Sequence, residues 1–364
     1  MKKSVSLFIL LFVFIFTNLN AQEMFQTVEA KDATLVKTDS SKEFCDVCGM
    51  HLTKYYKTSH TAEFRNGHKE QYCSLHCLAE VHKNYEDKIK NIQVVDTNSL
   101  KLIDAKKAFY VVGSSKEATM SSISEYAFSN KDEALKFKNE FGGNIYNFDE
   151  SLKLAKDRLE DDNLALNEKR VPMAIKGKKI FETMCDVKLQ KEFNSIGEAK
   201  KYLIDNNTCK NLDSQMLQAV SIYLFEPILA ADKSKMIEIP KDAKCPVCGM
   251  FVSKYPKWVV QIVLEDTHKH YFDGVKDMMK FYFNPAKYHS HSNEKISQIN
   301  VTDYYSLELI DGKKAFYVIG SNIYGPMGEE LIPFKNEEEA KKFMSDHFGK
   351  RILSFDEIKE DFLK

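Results

Sequence analysis

The sequence lacks an excess of charge of either sign. Lysine and arginine number 52, aspartate and glutamate 53, and the formal balance is −1. No electrostatic footprint for a polyanion is present, so a nucleic-acid partner is not expected. Cysteine is too sparse for a disulfide scaffold, with eight in 364 residues. A second long apolar run is also missing, so no membrane span is expected once the first segment is removed. What remains is an ordinary globular composition, 43% hydrophobic and 29% charged, at a length for two or three domains.

The first segment reads as a secretory signal over residues 1–21. Lys2 and Lys3 precede the apolar run Leu7 to Phe16, polar Thr17-Asn18 follows, and small Ala21 precedes the expected mature start at Gln22. The run is about half the length of a bilayer-spanning helix. No cysteine lies near Ala21, so lipid anchoring is not expected, and the mature chain is expected in the periplasm. Export changes what the cysteines mean, because free thiols outside the cytoplasm tend to oxidise unless a metal, a reductant or a redox role accounts for them.

The chain then repeats itself. Residues 44–56, FCDVCGMHLTKYY, return as residues 244–255, KCPVCGMFVSKY. Leu102 to Ser114 matches Leu309 to Ser321 with two differences, and a methionine follows each glycine by seven residues, Met120 after Gly113 and Met327 after Gly320. Two copies of one module are present, over 42–150 and 242–358. In the first copy, Thr58–Phe64 and Lys69–Tyr72 flank the hairpin signal Asn66-Gly67. A helical pattern covers Ser74 to Tyr85, strands are expected at Ile92–Val95 and Ala108–Val112, and a helix over Lys131–Phe141 ends at Gly142-Gly143 before a closing strand. The expected fold class is α+β: tandem strand-strand-helix-strand modules with small mixed or antiparallel sheets.

Residues 160–232 show no strand pattern and read as a small all-helical domain, with helices opening at Gly177–Phe181, over Ile196–Ile204 and over Leu212–Phe225. Gly177 to Cys185 and Ala219 to Leu224 resemble the first and last helices of a class I cytochrome c. Haem attachment would need cysteine and histidine where Lys188 and Leu189 stand, so a haemless relic is expected. Cys185 and Cys209 are either bonded to each other or two unrelated buried thiols.

The chemistry concentrates in Cys45-x-x-Cys48-Gly49-Met50 and Cys245-x-x-Cys248-Gly249-Met250. Two thiolates three apart can share one ion, and glycine lets the backbone turn tightly around it. Thiolate with thioether is the ligand set that selects Cu(I), so Met50, Met120, Met250 and Met327 are candidate ligands, against the alternative that they only fill apolar gaps. The first copy adds Cys73, His76 and Cys77 as further candidate ligands. With Cys45 and Cys48 they suit a four-thiolate zinc knuckle, extra thiolates for copper, or a disulfide. Phe272 and Lys276 are taken as the matching positions in copy two, where such a closed site is then not expected. The pairs His268/His270 and His289/His291 read as solvated, with auxiliary copper capture the alternative.

Both Cys-Gly-Met turns, the strands ending Phe-Tyr-Val-x-Gly-Ser, and the run from Gly325-Pro326-Met327-Gly328 to Pro333-Phe334 resemble NosL, the accessory lipoprotein of nitrous-oxide reductase. Tyr72 to Cys77 also resembles a TRASH-type metal knuckle. The NosL resemblance implies a periplasmic Cu(I)-binding chaperone that delivers copper for maturation of nitrous-oxide reductase, working with an ABC-type assembly complex. It implies Cys48, Met50 and Met120 in copy one and Cys248, Met250 and Met327 in copy two as copper ligands, with Cys45 and Cys245 as additional thiolates. The lipobox cysteine usual in that family has Asn20-Ala21-Gln22 in its place.

The leading expectation is therefore a metal carrier and not an enzyme, binding Cu(I), with zinc an option in domain 1. A thiol–disulfide oxidoreductase is the alternative from another class; against it, the Cys-x-x-Cys pairs precede strands and open no helix. A structural zinc-knuckle interaction protein is the third reading.

Overall fold

A computed structural model describes residues 24–186, 191–288 and 295–363. The signal segment, Lys188, Leu189, His289 and His291 lie outside the described residues. The chain divides into two compact units. One comprises Met1–Thr38, Lys42–Cys45 and Met50–Leu159; the other comprises Asp39–Ser41, Asp46–Gly49 and Glu160–Lys364.

In the first unit, β1 (His60–Phe64) and β2 (Lys69–Tyr72) form the hairpin around Asn66-Gly67, where Gly67 takes φ +84°. Helix α1 (Leu75–Tyr85) follows, started by Ser74, whose side chain accepts from the Cys77 amide. Strands β3 (Ile89–Val95) and β4 (Leu102–Asp104) complete an antiparallel sheet of order β2-β1-β3-β4. A second sheet, β6-β5-β7, joins β5 (Phe109–Val112), β6 (Glu125–Phe128) and β7 (Asn144–Tyr146). Helix α2 (Lys131–Phe141) packs Ala134 and Phe137 against Val111, Tyr126 and Phe128.

Helix α3 (Phe148–Met184) runs 37 residues from the end of the first module into the expected helical domain and carries Pro172 inside it. The expected helix opening at Gly177 is thus the interior of a longer one. In the second unit, α4 (Ile196–Asp205) and α5 (Ser214–Phe225) pack Ala199, Leu203, Ala219 and Val220 against Ile180 and Phe181 of α3. A Cys185–Cys209 disulfide closes this helical segment.

The second module repeats the first. Strands β8 (Val260–Leu264) and β9 (Lys269–Phe272) precede α6 (Val275–Phe283), and β10 (Ile296–Thr302) and β11 (Leu309–Asp311) complete the sheet β11-β10-β8-β9. Strand β12 (Phe316–Ile319) is followed by a small hairpin of β13 (Tyr324–Gly325) and β14 (Gly328–Glu329). Then β15 (Ile332–Phe334), α7 (Glu337–Asp346) and β16 (Arg351–Leu353) build the sheet β15-β12-β16. Every pairing between these strands is antiparallel. The α+β class stands, with two sheets in the first module and two plus the β13–β14 ribbon in the second, where the sequence patterning shows one unit.

Candidate metal centres

Each Cys-x-x-Cys pair sits on a closed loop. Cys45 N donates to Met50 O at 2.9 Å, and Cys245 N donates to Met250 O at 2.9 Å. The turn needs a left-handed residue, and Gly49 (φ +70°) and Gly249 (φ +79°) supply it.

In the first module the loop meets the start of α1. The sulfurs of Cys45, Cys48, Cys73 and Cys77 all lie within 4.8 Å of one another, with those of Cys73 and Cys77 3.8 Å apart and not joined in a disulfide. Each of the four residues is at most 1% exposed. Cys77 occupies the first turn of α1, where the helix dipole favours a thiolate. That qualifies the objection to a redox role: the knuckle opens no helix, yet its partner cysteine does. His76 stands outside the cluster, its Nε2 4.0 Å from Glu80 Oε1.

In the second module Cys245 and Cys248 meet Asp273 and Asp277, again with ligand atoms within 4.8 Å of one another. This corrects the pairing of Cys73 and Cys77 with Phe272 and Lys276. His60 opposes Tyr72 in one sheet and Val260 opposes Phe272 in the other, so the residue after each strand is Cys73 or Asp273. Register leaves no freedom to slip by one, because Phe272 fills the core. The second module therefore does hold a four-donor set, with two carboxylates in place of two thiols.

These carboxylates already engage the thiols. Cys248 Sγ lies 3.4 Å from each Asp273 oxygen, and Cys245 Sγ lies 3.6 Å from Asp277 Oδ2. Burial pushes the Cys245 thiol well above the usual thiol range, with the Asp273 charge adding to it. Cys248 is raised by the same two causes.

The methionines are placed as follows. Met50 and Met250 close the loops through their carbonyls and are half-buried. Met120 takes φ +59° beside Thr119, whose Oγ1 lies 2.9 Å from Thr58 Oγ1; Thr58 Oγ1 in turn lies 2.8 Å from Cys73 O. Met327 is 39% exposed at the turn between β13 and β14, and its carbonyl accepts from Lys276 Nζ at 2.9 Å. Glu330 holds that hairpin to the start of α6, its Oε1 accepting from Lys276 N at 2.6 Å and Leu331 N at 2.9 Å. Thus each distant methionine sits on a segment tied by hydrogen bonds to the elements that carry the candidate metal-ligating groups. His268 and His270 lie edge-to-face at 4.7 Å, and His270 is buried against Phe281, contrary to a solvated pair.

Asp273 and Asp277 escaped the sequence reading, although the 200-residue offset between the two Cys-Gly-Met turns points straight to them.

The sequence model of the NosL family matches residues 36–153 and 236–363. The chain belongs to the NosL family. The copper-binding lipoprotein NosL of Stutzerimonas stutzeri is 31% identical over 127 residues, covering 33% of this chain and 64% of that relative. The chain thus matches slightly under two thirds of that NosL protein's length. Among solved structures, the copper chaperone NosL from Shewanella denitrificans is 23% identical, with a TM-score of 0.30, over 35% of this chain and 98% of that one. Apo-NosL from Achromobacter cycloclastes is 28% identical, with a TM-score of 0.23, over 29% and 87%. The two NosL segments leave the helical segment between them unmatched.

Proposed function

We propose that this protein is a copper carrier and not an enzyme, holding Cu(I) on the sulfur ligands of a NosL module and passing it on by ligand exchange. One observation carries the reading. In the second module the Cys245/Cys248 loop stands against the start of α6, and the hairpin presenting half-exposed Met327 is fastened to that same helix start. Cys248 and Met327, with Cys245 and Met250, would give a soft set suited to Cu(I) and partly open to an incoming ligand. An acceptor's sulfur or nitrogen can then replace Met327 without release of a free ion.

The acceptor we propose is the maturation machinery of nitrous-oxide reductase, including its ABC-type assembly complex, and the site of action is the periplasm. The named copper-binding lipoprotein relative supports copper as cargo. Among the described residues no helix is long and apolar enough to cross a membrane.

In the second module the raised Cys245 and Cys248 thiols speak against a thiol–disulfide oxidoreductase, which depends on a lowered thiolate pKa. The zinc-knuckle reading keeps a specific observation, the four buried thiols of the first module.

A competition titration of the reduced full chain against a coloured Cu(I) chelator tests the carrier reading. The chain should withdraw copper from the chelator and Cys248→Ser should lose that share. Failure of the unmodified chain to compete would end it.

A further inference from the structure

The two centres are chemically alike in outline and differ in access at the Cys-Gly-Met turn, where Cys248 is half-buried and Cys48 is buried. In the second module Gly249 is exposed, and a Cβ built there would meet nothing within 4 Å among the described residues. In the first module the corresponding loop is covered. A Cβ at Gly49 would meet Ile196 Cγ2 at 3.1 Å, Gln218 Oε1 at 3.2 Å and Lys200 Cε at 3.4 Å.

The cover is hydrogen-bonded carbonyl by carbonyl. Ser195 Oγ donates to Asp46 O at 2.7 Å and Gly197 N to Val47 O at 3.2 Å. Gln218 Nε2 donates to Cys48 O at 2.9 Å and Lys200 Nζ to Gly49 O at 2.6 Å. Four consecutive carbonyls of the thiol loop are therefore satisfied by α4, its cap and α5. Lys200 is 2% exposed and places its Nζ on the loop that carries Cys48.

We propose that the four thiols of the first module hold a Zn2+ ion that stays with the protein, because the loop that supplies Cys48 is pinned along Asp46–Gly49 by α4, its cap and α5. Four thiolates in a closed set form the usual structural zinc site, whereas a centre that exchanges metal keeps an open position. Cys45, Cys48, Cys73 and Cys77 offer no such position, each being at most 1% exposed. A tetrathiolate around Zn2+ carries a net charge of about −2, and Lys200 in its protonated form has the sign that offsets it. The helical segment, for which the family match supplies no role, thereby becomes the device that makes the two modules unequal. Copper exchange then falls to the second module, and this division of labour rests on the carrier reading given above.

The test offers Zn2+ and Cu(I) together to the reduced full chain and weighs the products by native mass spectrometry. One zinc and one copper per chain are expected, and two coppers with no zinc would overturn the proposal. Cys73→Ser combined with Cys77→Ser should lose the zinc and keep the copper; zinc retained by that variant would also overturn it. Because those changes strain the first module, Lys200→Met and Gln218→Leu serve as milder probes. Each should speed zinc loss to EDTA by about tenfold or more while leaving copper unaffected, the scale seen when groups supporting metal ligands are removed. Unchanged zinc release in both variants would overturn the seal. Copper that survives Cys248→Ser would defeat the carrier reading, whereas zinc still bound in that variant supports the sealed site independently.

Discussion

The Sγ of Cys248 lies 3.4 Å from both carboxylate oxygens of Asp273. A thiol so placed is a proton donor at rest, and metal must displace that proton to bind. Burial first and the Asp273 charge second hold the thiol up. Metal uptake by the second module should therefore strengthen as pH rises. Asp273→Asn should speed alkylation of Cys248 at pH 8 by about threefold or more, since removing a like charge favours the thiolate. Timed labelling with mass-spectrometric readout of that cysteine measures it, and an unchanged rate would show the charge to be irrelevant.

Met327→Leu is close to volume-conserving and removes a thioether at a half-exposed turn. Cu(I) affinity of the second module should fall about tenfold, on the order of 1.4 kcal/mol. Thermal stability should hardly move. A chelator competition beside a melting curve separates the two quantities.

Glu330 gives the second module a pH-dependent stability. Burial raises its carboxyl from 4.5 to about 8, against partial relief from the Leu331 and Lys276 amides. The folded state therefore holds a proton that the unfolded state releases between those values. Stability from this group is complete below pH 4.5 and is lost as pH rises through about 8. Glu330→Gln should flatten this decline and gain on the order of 1–2 kcal/mol at pH 8. Denaturant unfolding at pH 5.5 and 8 provides the comparison.

The Cys185–Cys209 bond joins residues 24 apart across the helical segment. Cys209→Ser should cost that segment on the order of 3 kcal/mol through the loop entropy of the unfolded chain. Hydrogen exchange of α4 and α5 should accelerate while that of β8 and β10 stays as it was.

Much of the fold was legible because the duplication doubles every signal. The β1–β2 hairpin, α1 from Ser74 and α2 ending at Gly142 all follow from local turn and cap chemistry. Strands β4 and β6 were missed: Leu102–Asp104 is three residues long, and buried Glu125 interrupts the apolar pattern of Glu125–Phe128. The long α3 escaped because Pro172 and a dense mix of charges hide its period. At the sites, the thiol pairs announced themselves by spacing. Asp273 and Asp277 did not announce themselves by residue type, and only the 200-residue offset from Cys73 and Cys77 marks them. The cover over Asp46–Gly49 was beyond reach, since Lys200 and Gln218 lie about 150 residues or more away along the chain.

X-ray absorption at the copper edge of the Cu(I)-loaded full chain tests the central claim most directly. A shell of about three sulfur neighbours is expected, consistent with soft thiolate and thioether donors. One sulfur should vanish in Met327→Leu and one in Cys248→Ser. A shell of nitrogen and oxygen, or a spectrum indifferent to both substitutions, would contradict the account.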